Sequence, residues 1–293
     1  MDPSTQLYEQ DATGWQRGMY EDVKTTLRAP IVNWFFRTLT ANEPVFARYM
    51  WGQLKPLFQT RAFGDYTVSY RDTVLSALED GSPDLPRYRR DDLDVRPAEW
   101  RELRGQLATF DIVAPRLALT FAVCDRAMND GPLESDPDDA ASMAPLPPWL
   151  DRDRGRSVTM IDDDGVPNDL SDAIDGIREF HGLEGGLPSI YRCLAQWPGY
   201  LDLAWTDLEP ILESAAFERG CDDADAVVDA HLEKLPYVPR LSPTALADQG
   251  FDKSTVEELQ EFVRSFNRGA IETVLTAIFV YAATLDAAGE RSL

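Results

Sequence analysis

What most constrains this chain is that its own text recurs half a chain apart. Trp51-Gly52-Gln53-Leu54-Lys55-Pro56 returns as Trp205-Thr206-Asp207-Leu208-Glu209-Pro210. Upstream, Arg37-Thr38-Leu39 and Pro44 match Arg192-Cys193-Leu194 and Pro198. Downstream, Glu102-Leu103 and Phe110 match Glu258-Leu259 and Phe266. The offset is 155 residues at the arginines, 154 from the prolines onward and 156 at the Glu-Leu pairs. So small a drift over three motifs is what a duplication with short insertions leaves. The period is far too long for a solenoid repeat. It predicts two homologous halves packed face to face, with any site between them. The halves are residues 1–130 and 169–293. Residues 131–168 read as a linker, from the extended signal Pro145-Leu146-Pro147-Pro148 and the acidic turn Asp162-Asp163-Asp164.

The spacing of apolar residues predicts helices and nothing else. Residues 15–27 carry them at helical intervals, and Trp100, Leu103, Leu107 and Phe110 mark a second helix over 98–110. Ser254-Thr255-Val256-Glu257 reads as a capping box ahead of Leu259, Phe262 and Phe266. Segments 115–128 and 269–286 are apolar on most faces and predict central helices. Strand alternation is weak throughout, so the expected fold class is all-α. The run Val274–Leu285 is too short to span a bilayer and reads as a core helix.

Charge narrows the function classes. The 293 residues include 51 acidic and 28 basic side chains, a net charge of −23. A phosphate-backbone binder needs clustered cations, and an anionic membrane would repel this surface, so neither nucleic acid nor membrane is expected as a partner. The acids are spread along the chain, which suits a salt-rich cytoplasm where screening shortens repulsion to ~3 Å at 1 M. Three scattered cysteines without a Cys-x-x-Cys pair predict a reduced, cytoplasmic protein with no disulfide framework and no thiolate metal site. The opening residues lack a basic region followed by an apolar core, so no secretory signal is expected. Of the two histidines, His181 stands at an expected helix end, where capping suits it, before a glycine turn of Gly182, Gly185 and Gly186.

Candidate chemistry is sparse. Asp111, in Phe110-Asp111-Ile112-Val113-Ala114-Pro115, is a carboxylate in apolar text where two helices are expected to meet. It reads as a desolvated general base or as a helix cap ahead of the Pro115 segment. Its counterpart in the second half is Asn267, equally polar in an apolar joint. Arg37 and Arg192 form a matched pair, fit either to hold a substrate carboxylate or to support the packing of the halves. Trp34 and Tyr191 are candidate pocket walls or core side chains. No phosphate-cradling loop or Gly-x-Ser-x-Gly elbow occurs, and neither a metal nor a cofactor is expected.

Several stretches resemble the group I (DehI-type) 2-haloacid dehalogenases. They are Tyr20-Glu21-Asp22-Val23-Lys24-Thr25-Thr26-Leu27-Arg28-Ala29-Pro30, Leu194-Ala195-Gln196-Trp197-Pro198, the Phe110 to Pro115 spacing and Leu285-Asp286. The resemblance implies an all-α pseudo-dimer of two repeats, related to the AhpD-like fold but without that group's redox cysteines. It implies hydrolysis of the carbon–halogen bond of a 2-haloalkanoic acid. An Asp would activate water for direct attack, with inversion and without a covalent ester. It also implies a small carboxylic acid as partner, a monomer or homodimer as assembly, and Ser189 among the substrate contacts. Where the family carries its catalytic Asp, after that serine, this chain has Ile190. Where the family has a water-positioning Asn, it has Ala114. The resemblance therefore leaves Asp111 and Asn267 as replacement candidates, or a divergent protein that binds a small organic acid without the family reaction.

Overall fold

A computed structural model describes residues 1–2, 5–81, 84–129, 131, 133–150, 155–183 and 186–292. The fold is all-α. In chain order its helices are α1 (Gly14–Leu27), α2 (Trp34–Asn42), α3 (Pro44–Leu54), α4 (Arg61–Gly81), α5 (Pro97–Met128), α6 (Ala140–Met143) and α7 (Ser171–His181). There follow α8 (Ser189–Leu194), α9 (Pro198–Leu212), α10 (Ala215–Leu232), α11 (Pro243–Asp248), α12 (Lys253–Asn267) and α13 (Ala270–Thr284). Among the described residues there is no strand, only the isolated bridges Thr60–Pro145 and Ser135–Leu235. Proline opens α3, α9 and α11, where its missing N–H costs nothing.

The chain forms two compact units, each drawing on both halves of the sequence. The first comprises Met1–Tyr66, Arg116–Leu150 and Val228–Arg268. Its core is aromatic. Phe35 of α2 lies 5.2 Å from Phe121 of α5, 5.5 Å from Phe262 and 5.3 Å from Phe266 of α12. Val256, Leu259, Phe262, Val263 and Phe266 share one buried face of α12. Each such side chain contributes about 1.5–3 kcal/mol by leaving water. Asp252 caps α12 by accepting the Thr255 N–H at 2.8 Å. The cap therefore lies two residues before the expected Ser254, which instead donates its hydroxyl to Asp252.

The second unit comprises Thr67–Pro115, Asp151–Val227 and Gly269–Leu293. Helix α13 is buried from Val274 to Ala283, as its sequence requires. Against α9, Gly176 of α7 is required because a Cβ there would lie 2.6 Å from the Trp205 indole nitrogen. Gly182 ends α7 in the left-handed conformation, with φ 64°. Gly185, expected in the same turn, lies outside the described residues.

The two helices expected over 98–110 and 115–128 are one, the 32-residue α5 with Pro115 inside it. Proline deprives the carbonyl four residues earlier of its helical partner, and that carbonyl belongs to Asp111. A guanidinium replaces the lost bond: Arg71 Nη2 of α4 donates to the Asp111 carbonyl oxygen at 3.2 Å. Among the described residues α5, not 274–285, is the helix long and apolar enough to cross a membrane. Its most apolar window is 78% buried, as in a core helix.

Candidate functional site

Asp111 stands in the interior of α5, so it caps no helix. Its carboxylate is closed off by an ion pair. Arg71 Nε donates to Oδ1 at 3.2 Å, Arg71 Nη2 lies 3.0 Å from Oδ2, and the Gly289 N–H donates to Oδ2 at 2.8 Å. Both side chains are essentially inaccessible, at 0% and 1% exposure. Arg71 Nη1 also donates to the Glu290 carbonyl at 3.0 Å, so the C-terminal segment lies across the pair. A carboxylate gripped by a bidentate guanidinium and a backbone amide is built to hold α4, α5 and the C-terminal segment together. It is poorly placed to take a proton from water.

Asn267 belongs to the first unit, whereas Asp111 belongs to the second. Asn267 ends α12, and its Nδ2 donates to Oδ2 of Asp125 at 2.8 Å. Asn129 Nδ2 donates to the other oxygen, Oδ1, at 2.7 Å. Two guanidiniums stand just outside hydrogen-bond range: Arg264 Nε at 4.0 Å from Oδ1 and Arg268 Nε at 3.8 Å from Oδ2. Arg264 Nη2 donates to Asn129 Oδ1 at 2.7 Å. Asp125 is 8% exposed, while Arg264 and Arg268 are 58% and 69% exposed. The sequence reading missed Asp125. Its signal is the one that drew attention to Asp111, a lone acid after the apolar run Leu117–Cys124 of α5.

Tyr191 lies in a buried relay of the second unit. Its hydroxyl is 2.5 Å from His181 Nε2, and His181 Nδ1 is 2.7 Å from Thr273 Oγ1 of α13. Burial presses the His181 imidazole down to about 3 and pushes the Tyr191 phenol well above its ordinary range, so both are neutral near pH 7. His181 is thus no helix cap. Its ring continues the buried face of Ala173, Ile174 and Ile177, a spacing visible in the sequence. Tyr281 packs edge-on to Tyr191 at 5.8 Å. Ser189 opens the six-residue α8 and is half-buried, and Ile190 beside it is buried.

The matched arginines hold chain segments. Arg37 Nε donates to Gln6 Oε1 at 3.0 Å, and its guanidinium lies over Tyr8 at 5.1 Å. Arg192 Nε donates to the Ile161 carbonyl at 2.8 Å and pairs with Asp162 and Asp163. Each thus secures a neighbouring stretch of its own unit. Trp34, at the start of α2, rests edge-on against Phe266 at 5.1 Å with part of its ring exposed.

Comparison with known proteins follows the same lines. The family model for halocarboxylic acid dehydrogenase DehI matches residues 30–163. An (R)-2-haloacid dehalogenase of Pseudomonas putida is 26% identical over 85% of this chain and 82% of its own length. Over residues 30–163 the chain is similar to the DehI family. A second (R)-2-haloacid dehalogenase, from Rhizobium sp. (strain NHG3), is 26% identical over 80% of this chain and 88% of its own. The fold agrees with solved structures of D-2-haloacid dehalogenase. A mutant matches with a TM-score of 0.79 at 22% identity, covering 95% of this chain and 93% of that one. The complex with L-LA matches with a TM-score of 0.81 at 20% identity, covering 95% of each chain.

Proposed function

We propose that this DehI-like chain acts on small 2-haloalkanoic acids, displacing halide by water. The observation that carries this reading is the breadth of the match: relatives named (R)-2-haloacid dehalogenase align over four-fifths or more of both chains. The duplicated text at a near-constant offset supports a pseudo-dimeric architecture for the same family. Water attacks C2 of the acid, the carbon–halogen bond breaks, and the proton passes to a carboxylate. At position 190 that carboxylate is replaced by isoleucine, which accepts no proton, and loss of a general base costs ~10²–10⁴ in rate. The expected turnover is therefore slow. The test is halide release from each enantiomer of 2-chloropropionate in high salt. Release above the protein-free rate supports the reading, and none from either enantiomer refutes it.

A second reading is favoured by the buried Ile190 together with the ion-paired Asp111. On it the chain binds a small organic acid without turnover. Binding heat from 2-chloropropionate with no halide released is its signature, and the melting temperature then rises with ligand as RT ln(1 + [L]/Kd).

A further inference from the structure

We propose that Asp125, held by the amides of Asn129 and Asn267 and flanked by Arg264 and Arg268, is a second polar centre of the chain, one that docks a small carboxylic acid on the arginines and activates water for its hydrolysis. This rests on the proposed action on 2-haloalkanoic acids.

The geometry separates the two jobs. Each Asp125 oxygen accepts one amide hydrogen, from Asn129 at 2.7 Å and from Asn267 at 2.8 Å. A carboxylate oxygen has two lone pairs, so each retains room for a further donor such as water. The amides fix the plane of the carboxylate without neutralising it. The guanidiniums, at 3.8 and 4.0 Å, have not closed into hydrogen-bonded pairs with it. Among the described residues the Arg268 side chain makes no other ion pair or hydrogen bond and is 69% exposed, which leaves its guanidinium accessible to an incoming carboxylate. Arg264 and Arg268 are one helical turn apart on α12, which lets a single small acid bridge them. Two cations around one acid also make this spot locally positive in a chain of net charge −23. Beside the carboxylate on α5 and α12 the neighbours are aromatic. Phe121, one turn earlier on α5, packs 5.4 Å from Phe266, the residue before Asn267.

The step balances with water and the acid alone. A water held on Asp125 forms the new C–O bond at C2, the carbon–halogen bond breaks, the halide leaves to solvent and the water proton goes to Asp125. Asp125 is the catalytic residue of this scheme, Asn129 and Asn267 are positioning residues, and the arginines bind.

The experiment uses the full chain with 2-chloropropionate and measures halide release and calorimetric affinity together. Asp125→Asn keeps the shape and is expected to lower halide release ~10²–10⁴-fold while leaving Kd within about threefold. The exposed double variant R264Q/R268Q is expected to weaken Kd by roughly tenfold or more, as loss of a charge-assisted contact does. If Asp125→Asn fails to fold, Asp125→Glu, which keeps the charge and displaces the carboxylate, is expected to fold and lose most of the rate. Halide release unchanged in D125N, or in D125E where D125N does not fold, overturns the inference. So does an unchanged Kd in R264Q/R268Q. In both cases the proposed function stands. No halide release by the wild-type chain overturns both.

Discussion

Replacing Asp111 with Asn is expected to lower the melting temperature by roughly 5–12 °C, a large effect for a near-isosteric change. The reasoning starts from burial. Arg71 is inaccessible, and the Asp111 carboxylate is paired with it at 3.0 Å. Removing one member of a buried pair leaves an uncompensated charge and costs about 3–5 kcal/mol, and each kcal/mol moves the midpoint by ~2–4 °C or somewhat less in a chain this long. Removing both partners tells more. R71M/D111L deletes the charges together, which by itself is close to neutral. It also removes the hydrogen bond that Arg71 Nη2 gives the Asp111 carbonyl, whose usual donor four residues on is Pro115, at about 1–3 kcal/mol. The double variant is therefore expected to be no worse than D111N. Adding P115A returns the missing N–H, so P115A should stabilise the double variant more than it stabilises the wild type. Differential scanning calorimetry on the wild type, D111N, P115A, the double variant and the double variant with P115A gives the comparison, with amide exchange at Gly289 as a local probe of the second unit. A D111N protein within about 1 kcal/mol of wild type would refute the structural role. If D111N also abolished halide release, Asp111 would return as the base.

Three further outcomes follow from the same structure. Burial holds His231 down to about 4, its Nε2 has no hydrogen-bond partner among the described residues, and its ring lies tilted against Tyr66 at 4.9 Å. Its folded value lies below the unfolded value near 6.5. The stability it supports is therefore full above pH 6.5 and falls as pH drops toward 4, by up to about 1.4 kcal/mol per unit. His231→Phe keeps a ring against Tyr66 and should flatten the acid limb of stability against pH by that amount; an unchanged limb would count against a neutral buried imidazole. Gly289→Ala would put a Cβ 2.4 Å from Arg71 Cζ, and four bonds stop that guanidinium from moving aside. The expected cost is about 1–3 kcal/mol with faster exchange at residue 289, and full stability would contradict the seat. Finally, we propose that the −23 charge is an adaptation to salt. The melting temperature should then rise between about 0.1 and 1 M KCl as the screening length shrinks from ~10 to ~3 Å, and a flat or falling profile would refute it.

How much of this was legible in the sequence depends on the range of the contact concerned. The helices of 15–27, 254–266 and 269–286 were readable because burial of one face repeats every turn and leaves its period in the text. Pro115 misleads for a local reason: proline usually ends a helix, and here Arg71, 40 residues before Asp111, supplies the bond that the Asp111 carbonyl would lack. No window around Asp111 contains Arg71 or Gly289, so the choice between base and cap omitted the outcome the structure shows. Asn267 was picked as polar in apolar text, but its partner Asp125 lies 142 residues away.

One pattern was available in the sequence and points further. With 51 acids, composition cannot single out a functional carboxylate, yet α5 carries two buried ones, Asp111 and Asp125. They are 14 residues apart, about four helical turns, and so lie near one face of the helix. At the duplication offset of 156 their counterparts are Asn267 and Tyr281, both polar in buried surroundings and neither ionised near pH 7. If the halves arose by duplication, the first kept or gained charge at both positions and the second did not. A core position that must only be filled has no reason to be polar in both copies. A position that is polar twice, and charged once, is one where hydrogen bonding is under constraint. That argument selects Asp125 over the remaining surface acids without appeal to its neighbours, and Arg264, Arg268, Asn129 and Asn267 then supply the neighbours.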